Sequence, residues 1–226
     1  RKFIIGAGSL AAGGAAAIGS GAVTSFSATR AANVATVSTD SGGIISFDTG
    51  VGNDDAVNMS DGTLSIDLSG TEGEGVNIDS VTKIGEDVDG VNPENLDNHY
   101  YAFLIQNNDN VAHDVSFTYT LTDDSWVEYD GPQWRSEGYK GTTMTINPFV
   151  PRGGTNGSLT DMNAAQLNIP ASYPDTDGTG TIGSTYFQPG VAVPFQIIVD
   201  TTGADASVGD NLGGELNFSV TPPDPE

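Results

Sequence analysis

Cysteine is absent from this chain of 226 residues, and histidine occurs only twice, at His99 and His113. The absence of cysteine excludes a disulfide framework and thiolate chemistry, so stability must come from core size, bound ions or assembly. Neither histidine has a second histidine at helical spacing, and His113 falls on the buried side of a predicted strand. A structural histidine held by a hydrogen bond is therefore the favoured interpretation of each.

The common signatures of hydrolases are missing as well. No serine lies in a Gly-x-Ser-x-Gly elbow, and the acidic residues are too numerous for any two to stand out as a catalytic pair. A hydrolase would need serine and aspartate gathered near His113, which spacing alone leaves open. The sequence therefore predicts a protein that is not an enzyme.

Positive charge is scarce. Seven Lys and Arg residues stand against 30 Asp and Glu residues, which gives a net charge of −23 and a pI near 4.1. Such a surface could bind cations, but adaptation to a very salty medium is the favoured interpretation. At molar salt the Debye length is only about 3 Å, so self-repulsion is screened. The same charge argues against nucleic acid and anionic membranes as partners.

Long amphipathic helical stretches are also absent, and the clearest secondary-structure signal is a pair of strands between residues 100 and 121. In residues 111–121 apolar and polar side chains alternate, which predicts a strand with one buried face. Residues 100–106 are apolar on both faces, which predicts a strand covered on both sides. The polar run 107–110 predicts a tight turn that joins the two strands as a hairpin.

Shorter strand-like segments occur on both sides of this hairpin. They predict strands at residues 33–38, 43–48, 63–69, 76–84, 126–129, 139–146, 193–200 and 214–221. Residues 147–185 predict a long excursion with short strands at most. The chain is thus predicted to be all-β, a single β-sandwich of jelly-roll or Ig-like type with long Gly/Pro/Asn-rich loops. The sandwich covers residues 28–221, and a Pro-rich tail occupies residues 222–226.

Residues 1–27 have the pattern of an export signal, with a basic start, a Gly/Ala-rich apolar run and small residues typical of a cleavage site. The segment RKFII at residues 1–5 resembles the second half of a twin-arginine signal, which predicts an extracellular or cell-surface protein. Two alternatives stay open for this segment. One is a buried helix of the fold, and the other is a pilin-type helix retained in a filament core.

Three Asn-x-Ser sequons lie downstream of this segment, at Asn58, Asn156 and Asn217. Together with an export signal, they predict a glycosylated surface protein.

The best metal candidate is the acidic run DVDGVNPE at residues 87–94. Asp87, Asp89, Asn92 and Glu94 offer hard oxygen ligands, and Gly90 permits a sharp bend, as at the start of a calcium loop. The match with an EF-hand ends there, because flanking helical patterns are missing and Pro93 interrupts the run. The alternative is a solvated acidic loop in a protein whose loops are all acidic.

Aromatic residues flank the polar segment DGPQWRSEG. Trp126, Tyr129, Trp134 and Tyr139 could bind glycans, but packing over an end of the sandwich is the favoured interpretation.

The run GSGAVTSFSATRAANVATVSTDSGGIIS at residues 19–46 resembles the start of secreted proteins common in salt-loving archaea. Those proteins have a Gly/Ala signal ending in a GAFTS phrase, then an Ala-Asp/Thr-Arg pair and a Val-rich first strand. FLIQNNDNVAHDVSFTYTL is similar to the strand pair of that family. The layout also resembles the TasA/camelysin group of bacterial biofilm fibres and archaeal bundling pili.

This resemblance implies donor-strand exchange, in which the N-terminal strand of one subunit completes the sheet of the next. The strand would cover about residues 28–38, with subunit contacts from Ala28, Thr29, Arg30, Asn33, Val34 and Val37. The resemblance thus predicts a head-to-tail homopolymer, a filament, pilus or biofilm fibre, because such a contact does not close. The alternative is a monomeric envelope protein that binds calcium or glycans.

Overall fold

A computed structural model describes residues 32–33, 45–49, 57–60, 63–66, 68, 78–92, 96, 99–129, 138–152, 158–160, 166–171, 176–207 and 209–221. Across these ranges the protein is built of strands, with no α-helix. The strands are β1 (Ala32–Asn33), β2 (Ile45–Thr49), β3 (Val57–Ser60), β4 (Thr63–Ile66), β5 (Val81–Ile84), β6 (Phe103–Asn107), β7 (Asp114–Leu121), β8 (Thr143–Pro148), β9 (Val150–Pro151), β10 (Leu159–Thr160), β11 (Leu167–Ile169), β12 (Gly178–Ile182), β13 (Ala192–Asp200) and β14 (Gly214–Thr221).

The largest sheet has the antiparallel order β11-β8-β13-β6-β2. Its central strand β13 pairs with β8 along one edge and, along the other, with β6 and then with β5. The strands β5 and β6 therefore share one position in the sheet, interrupted where residues 86–100 leave it. The Gln196 amide donates to the Gly85 carbonyl at 3.1 Å, which fixes the backbone at the start of this interruption.

A second antiparallel sheet, β12-β7-β14, packs against the first. On one side of the sandwich, β11 of the first sheet contacts β12 of the second directly. Gly178 permits this approach, because a Cβ there would overlap the Asn168 carbonyl oxygen. On the opposite side, a small sheet of order β1-β4-β3 lies between the large ones, with β3 against β2 and β1 against β14. The two sides of the sandwich are therefore closed in different ways.

Aromatic side chains fill the space between the two large sheets. Phe103 stacks on Phe195 across β6 and β13, with ring centroids 4.5 Å apart, and Phe117 of β7 meets Phe195 edge-on at 5.3 Å. Alternate residues of β7 are buried from Val115 onward, as its period of two predicts. The prediction of an all-β sandwich is confirmed.

The expectation that the strand near residue 103 is covered on both faces is also confirmed. Phe103 and Ile105 face the second sheet, whereas Leu104 points to the opposite face of the first sheet. There it joins a smaller apolar cluster with Val88 and Leu96, which lie between β5 and β6 in the chain. These two side chains thus cover part of the outer face of the first sheet.

The predicted hairpin between residues 100 and 121 is wrong. The strands β6 and β7 belong to different sheets, and residues 108–113 cross from one sheet to the other. Val111, which the alternation placed in the core, is 46% exposed in this crossing. The predicted strand at 126–129 is also wrong, since a turn lies there in which Val127 N–H donates to the Asp124 carbonyl at 3.0 Å. Alternation identifies a buried face, but it does not identify the neighbouring strand.

Asn107 holds this crossing in place from a fully buried position. Its side-chain NH₂ group donates to the carbonyl oxygens of Val111 and Phe187, both at 2.9 Å. Its side-chain oxygen accepts from the Asp109 N–H, also at 2.9 Å. An amide side chain offers two N–H donors and an acceptor oxygen, and Asn107 uses both donors and the oxygen in these bonds.

We expect Asn107→Ala to lower the free energy of unfolding by roughly 2–4 kcal/mol, because it removes three hydrogen bonds that are buried or partly buried. The neighbouring exposed residue supplies the control, and Asn108→Ala should change stability by less than about 0.5 kcal/mol. Denaturant unfolding of both variants measures the difference. Equal stability of the two would show that Asn107 does not hold the crossing.

Candidate functional site

The side of the sandwich closed by the small sheet is the candidate functional site. There β1 pairs antiparallel with β4, with Ala32 opposite Ile66 and Asn33 opposite Ser65. The same short strand also contacts β14 of the second sheet. The strand β1 therefore links the β3–β4 pair to the second sheet.

The edge of β14 beside β1 is suited to accept a strand. All eight residues of β14 pair with β7 on its other edge. Within the described ranges, no strand forms a backbone ladder with the edge that faces β1. Unpaired backbone donors and acceptors on such an edge are a template for strand addition.

Apolar side chains behind this edge connect it to the core. Phe218 of β14 meets Phe47 of β2 edge-on, with ring centroids 5.2 Å apart, and both rings are only partly buried. Leu64 and Ile66 of β4 and Val57 of β3 are fully buried in the same cluster. The β3–β4 pair thus covers the aromatic contact between the two large sheets, and β1 holds that pair against β14.

Of the residues predicted for subunit contacts, Asn33 lies in β1. Ala28, Thr29, Arg30, Val34 and Val37 lie outside the described residues. The position of β1 between β4 and β14 was not available from the sequence, because the residues that pair between β1 and β4 are more than 30 positions apart in the chain.

Three of the four predicted calcium ligands lie in the described part of the segment between β5 and β6. Asp87, Asp89 and Asn92 are exposed, and Glu94 lies outside the described residues. The Asp89 N–H donates to the Asp87 carboxylate at 3.0 Å, so part of the Asp87 side chain serves the turn itself. Over the described ranges, no group of three or more His, Asp or Glu side chains has the arrangement of a metal site.

The calcium prediction can be tested directly. If Asp87 and Asp89 hold Ca²⁺, adding Ca²⁺ should raise the unfolding temperature, and the double variant Asp87→Asn/Asp89→Asn should lose this increase. Mg²⁺ at the same concentration controls for general screening of the negative charge. An equal increase in the parent chain and the double variant would contradict a site in this loop.

Each histidine pairs with a carboxylate at the base of a loop. His99 Nδ1 lies 2.5 Å from the Glu86 carboxylate, which also accepts from the Tyr100 N–H at 3.2 Å, so Glu86 joins the two ends of the segment between β5 and β6. His113 is 4% exposed, and its Nε2 lies 2.8 Å from the Asp109 carboxylate. The expected structural role of the histidines is consistent with both pairs. No serine is paired with either ring in the described part of the chain.

The hydrogen bond from His113, followed by that from the Asn110 N–H at 2.7 Å, holds the pKa of Asp109 below its usual value of 3.8. A carboxyl whose folded-state pKa is lowered stabilises the fold above its ordinary pKa and loses this effect as the pH falls through the folded-state value. We therefore expect Asp109→Asn to be less stable than the parent chain near neutral pH. The difference should shrink below about pH 3.8.

Denaturant titrations from pH 7 to pH 2.5 measure this convergence. A difference that stays constant over the whole range would contradict the assignment to the Asp109 charge.

The aromatic residues at the other end of the sandwich pack against its core. Trp126 Nε1 donates to the carbonyl oxygens of Asp123 at 2.8 Å and Asn211 at 2.9 Å, and Tyr129 and Tyr139 rest partly buried on the main cluster. Burial, followed by nearby carboxylates, raises the pKa of Tyr139 above its ordinary value, so the phenol stays protonated. Trp134 lies outside the described residues. These contacts agree with the favoured packing interpretation.

The sequons fall in two strands and a segment outside the described residues. Asn58 lies in β3, and Asn156 is outside the described ranges. Asn217 lies in β14, opposite Thr118 of β7. It is on the opposite face of the strand from the buried residue Leu216. A glycan on Asn217 would therefore leave the outer face of the second sheet and not enter the core.

No family model, curated protein or solved structure matches this chain. Over the described ranges, no helix has both the length and the apolar character of a membrane span.

Proposed function

We propose that this protein is a secreted structural protein of the cell surface whose subunits assemble head to tail by β-strand donation. The observation that carries the proposal is the place of β1, which pairs with β4 and contacts β14. A strand in that position can come from the same chain or from a neighbouring chain with the same local contacts. Exchange of an identical element is an economical route to assembly.

The position of β1 beside β4 and β14 suits exchange, because the backbone pairs it makes there can be made in the same way by a second copy. When β1 leaves, its backbone pairs with β4 and its contact with β14 are lost. A second copy of residues 28–38 would restore them.

Donation in one direction produces an open polymer. The donor strand lies near the start of the sandwich, and the acceptor position lies between β4 and β14, so the contact joins two different surfaces. Such a heterologous contact generates a filament unless its rotation closes a ring. Backbone hydrogen bonds also suit a chain with a net charge of −23, because they do not rely on attraction between charged surfaces.

The acidic composition supports a location in a salty medium outside the cell. High ionic strength screens the repulsion between subunits that would oppose polymerisation in dilute buffer. The export-signal pattern of residues 1–27 and the sequons at Asn58, Asn156 and Asn217 are consistent with this location.

Because the chain contains no cysteine, engineered disulfides can report which subunit supplies β1. Asn33 and Ser65 are directly opposite each other on β1 and β4, at a separation that suits a disulfide. We expect the double variant Asn33→Cys/Ser65→Cys, oxidised at multimolar salt, to form a ladder of covalent multimers on a non-reducing gel. Mixed single variants Asn33→Cys and Ser65→Cys should form covalent dimers.

The matched control is Thr118→Cys/Thr179→Cys, because Thr118 and Thr179 are opposite each other on β7 and β12. Both strands belong to the same sheet of one chain, so this variant should give covalently closed monomers only. Filaments seen by electron microscopy should accompany the ladder. If Asn33→Cys/Ser65→Cys gives only monomers and sedimentation finds a monomer at multimolar salt, strand donation is wrong and the monomeric envelope protein is favoured.

A further inference from the structure

The outer face of the second sheet carries a block of small polar side chains without charge. Outward residues of β7 are opposite outward residues of β12 on one side and of β14 on the other. Two neighbouring rows across these strands consist of Thr179, Thr118 and Asn217 and of Thr181, Ser116 and Ser219. We call these residues the uncharged face. It stands out in a chain that has 30 Asp and Glu residues.

The uncharged face has hydrogen-bonding capacity that the protein does not use. Its residues are exposed or half-buried. The hydroxyls of Thr118 and Thr179 lie 3.3 Å apart. In the described part of the chain, the side chains of Thr181, Ser116, Asn217 and Ser219 make no hydrogen bond to the protein. The Asn217 amide is therefore available for modification.

The glycosylation sequon of residues 217–219 lies on this face. Residues two apart on a strand point to the same side of a sheet, so Asn217 and Ser219 both face outward. Phe218, between them, packs against the main core cluster. The strand thus presents the acceptor amide and the sequon hydroxyl together on the outside of the folded protein.

We propose that Asn217 carries an N-linked glycan whose first sugars lie across the uncharged face toward β7 and β12. In the transfer, the Asn217 amide nitrogen bonds to C1 of the first sugar of a lipid-linked oligosaccharide. The bond from that carbon to the phosphate of the lipid breaks, the lipid phosphate leaves, and an amide proton passes to solvent. This inference rests on the proposed location at the cell surface.

The neighbours of Asn217 suit contact with a sugar. Thr118 is directly opposite it, and Ser116 is its diagonal neighbour on the same face. Such positions lie about 5–8 Å apart, within reach of the first sugar rings. The hydroxyls both donate and accept hydrogen bonds, and the threonine methyl groups can contact the C–H side of a ring. None of these side chains is large enough to block the face.

A neutral glycan would also give this face the hydration and repulsion that acidic side chains provide elsewhere on the protein. It would leave the edge of β14 beside β1 free, because side chains stand perpendicular to the sheet whereas the backbone edge lies in its plane. Strand donation can be measured on protein without glycan. The failure of one proposal is therefore distinguishable from the failure of the other.

Mass spectrometry of glycopeptides tests the modification. The full chain is produced in a host chosen because it glycosylates an Asn-x-Thr tag placed after Glu226. We expect a glycan on Asn217 in the parent chain and in Ser219→Thr, which keeps the sequon, and its loss in Ser219→Ala. The proposal is wrong if Asn217 stays unmodified while the tag is glycosylated.

Thiol labelling tests where the glycan lies, because the chain contains no cysteine of its own. Thr118→Cys is compared with and without glycan, the latter from a host that lacks N-glycosylation. The glycan should slow maleimide labelling of this cysteine about fivefold or more by covering it.

Asn108→Cys, in an exposed position between β6 and β7, is the control and should change by less than about twofold. Unfolding curves should show that both variants are folded. Equal labelling of Thr118→Cys with and without glycan would overturn the placement across β7. Labelling of the protein without glycan that slows as its concentration rises would show that a second copy covers the face, which would also contradict the proposal.

Discussion

Backbone donors and acceptors at the edge of a β-sheet must be paired or hydrated, and this requirement governs how the sandwich is closed. On one side, β11 and β12 approach closely because Gly178 has no side chain. On the other side, the sheets are bridged by a separate small sheet whose strand β1 contacts β14. The proposed function builds on that difference, since a strand in such a linking position can be supplied by another copy.

The buried polar groups serve mainly to organise loops. Asn107 satisfies the backbone of the crossing between the two large sheets, and Glu86 joins the two ends of the segment between β5 and β6 through His99 and Tyr100. Asp109 and His113 form a comparable pair at the crossing.

Much of the fold was predictable from local patterns. Alternation correctly identified β7 from Val115 onward, and the continuous apolar run correctly predicted a strand covered on both faces around Phe103. The buried position of His113 also followed from its register. The pairing of β6 with β7 was predicted wrongly. A polar segment such as 107–110 has the same kind of composition whether the chain reverses within one sheet or crosses to another sheet.

The sequence by itself determined the class of fold, the burial of its main strands, the acidic surface and the absence of cysteine chemistry. These properties depend on residue type and on a period of two, which are local quantities. Only the tertiary structure decided which strands are neighbours and that β1 lies between β4 and β14. Strand pairing depends on backbone hydrogen bonds between distant segments, and every residue type except proline provides the same donor and acceptor for them.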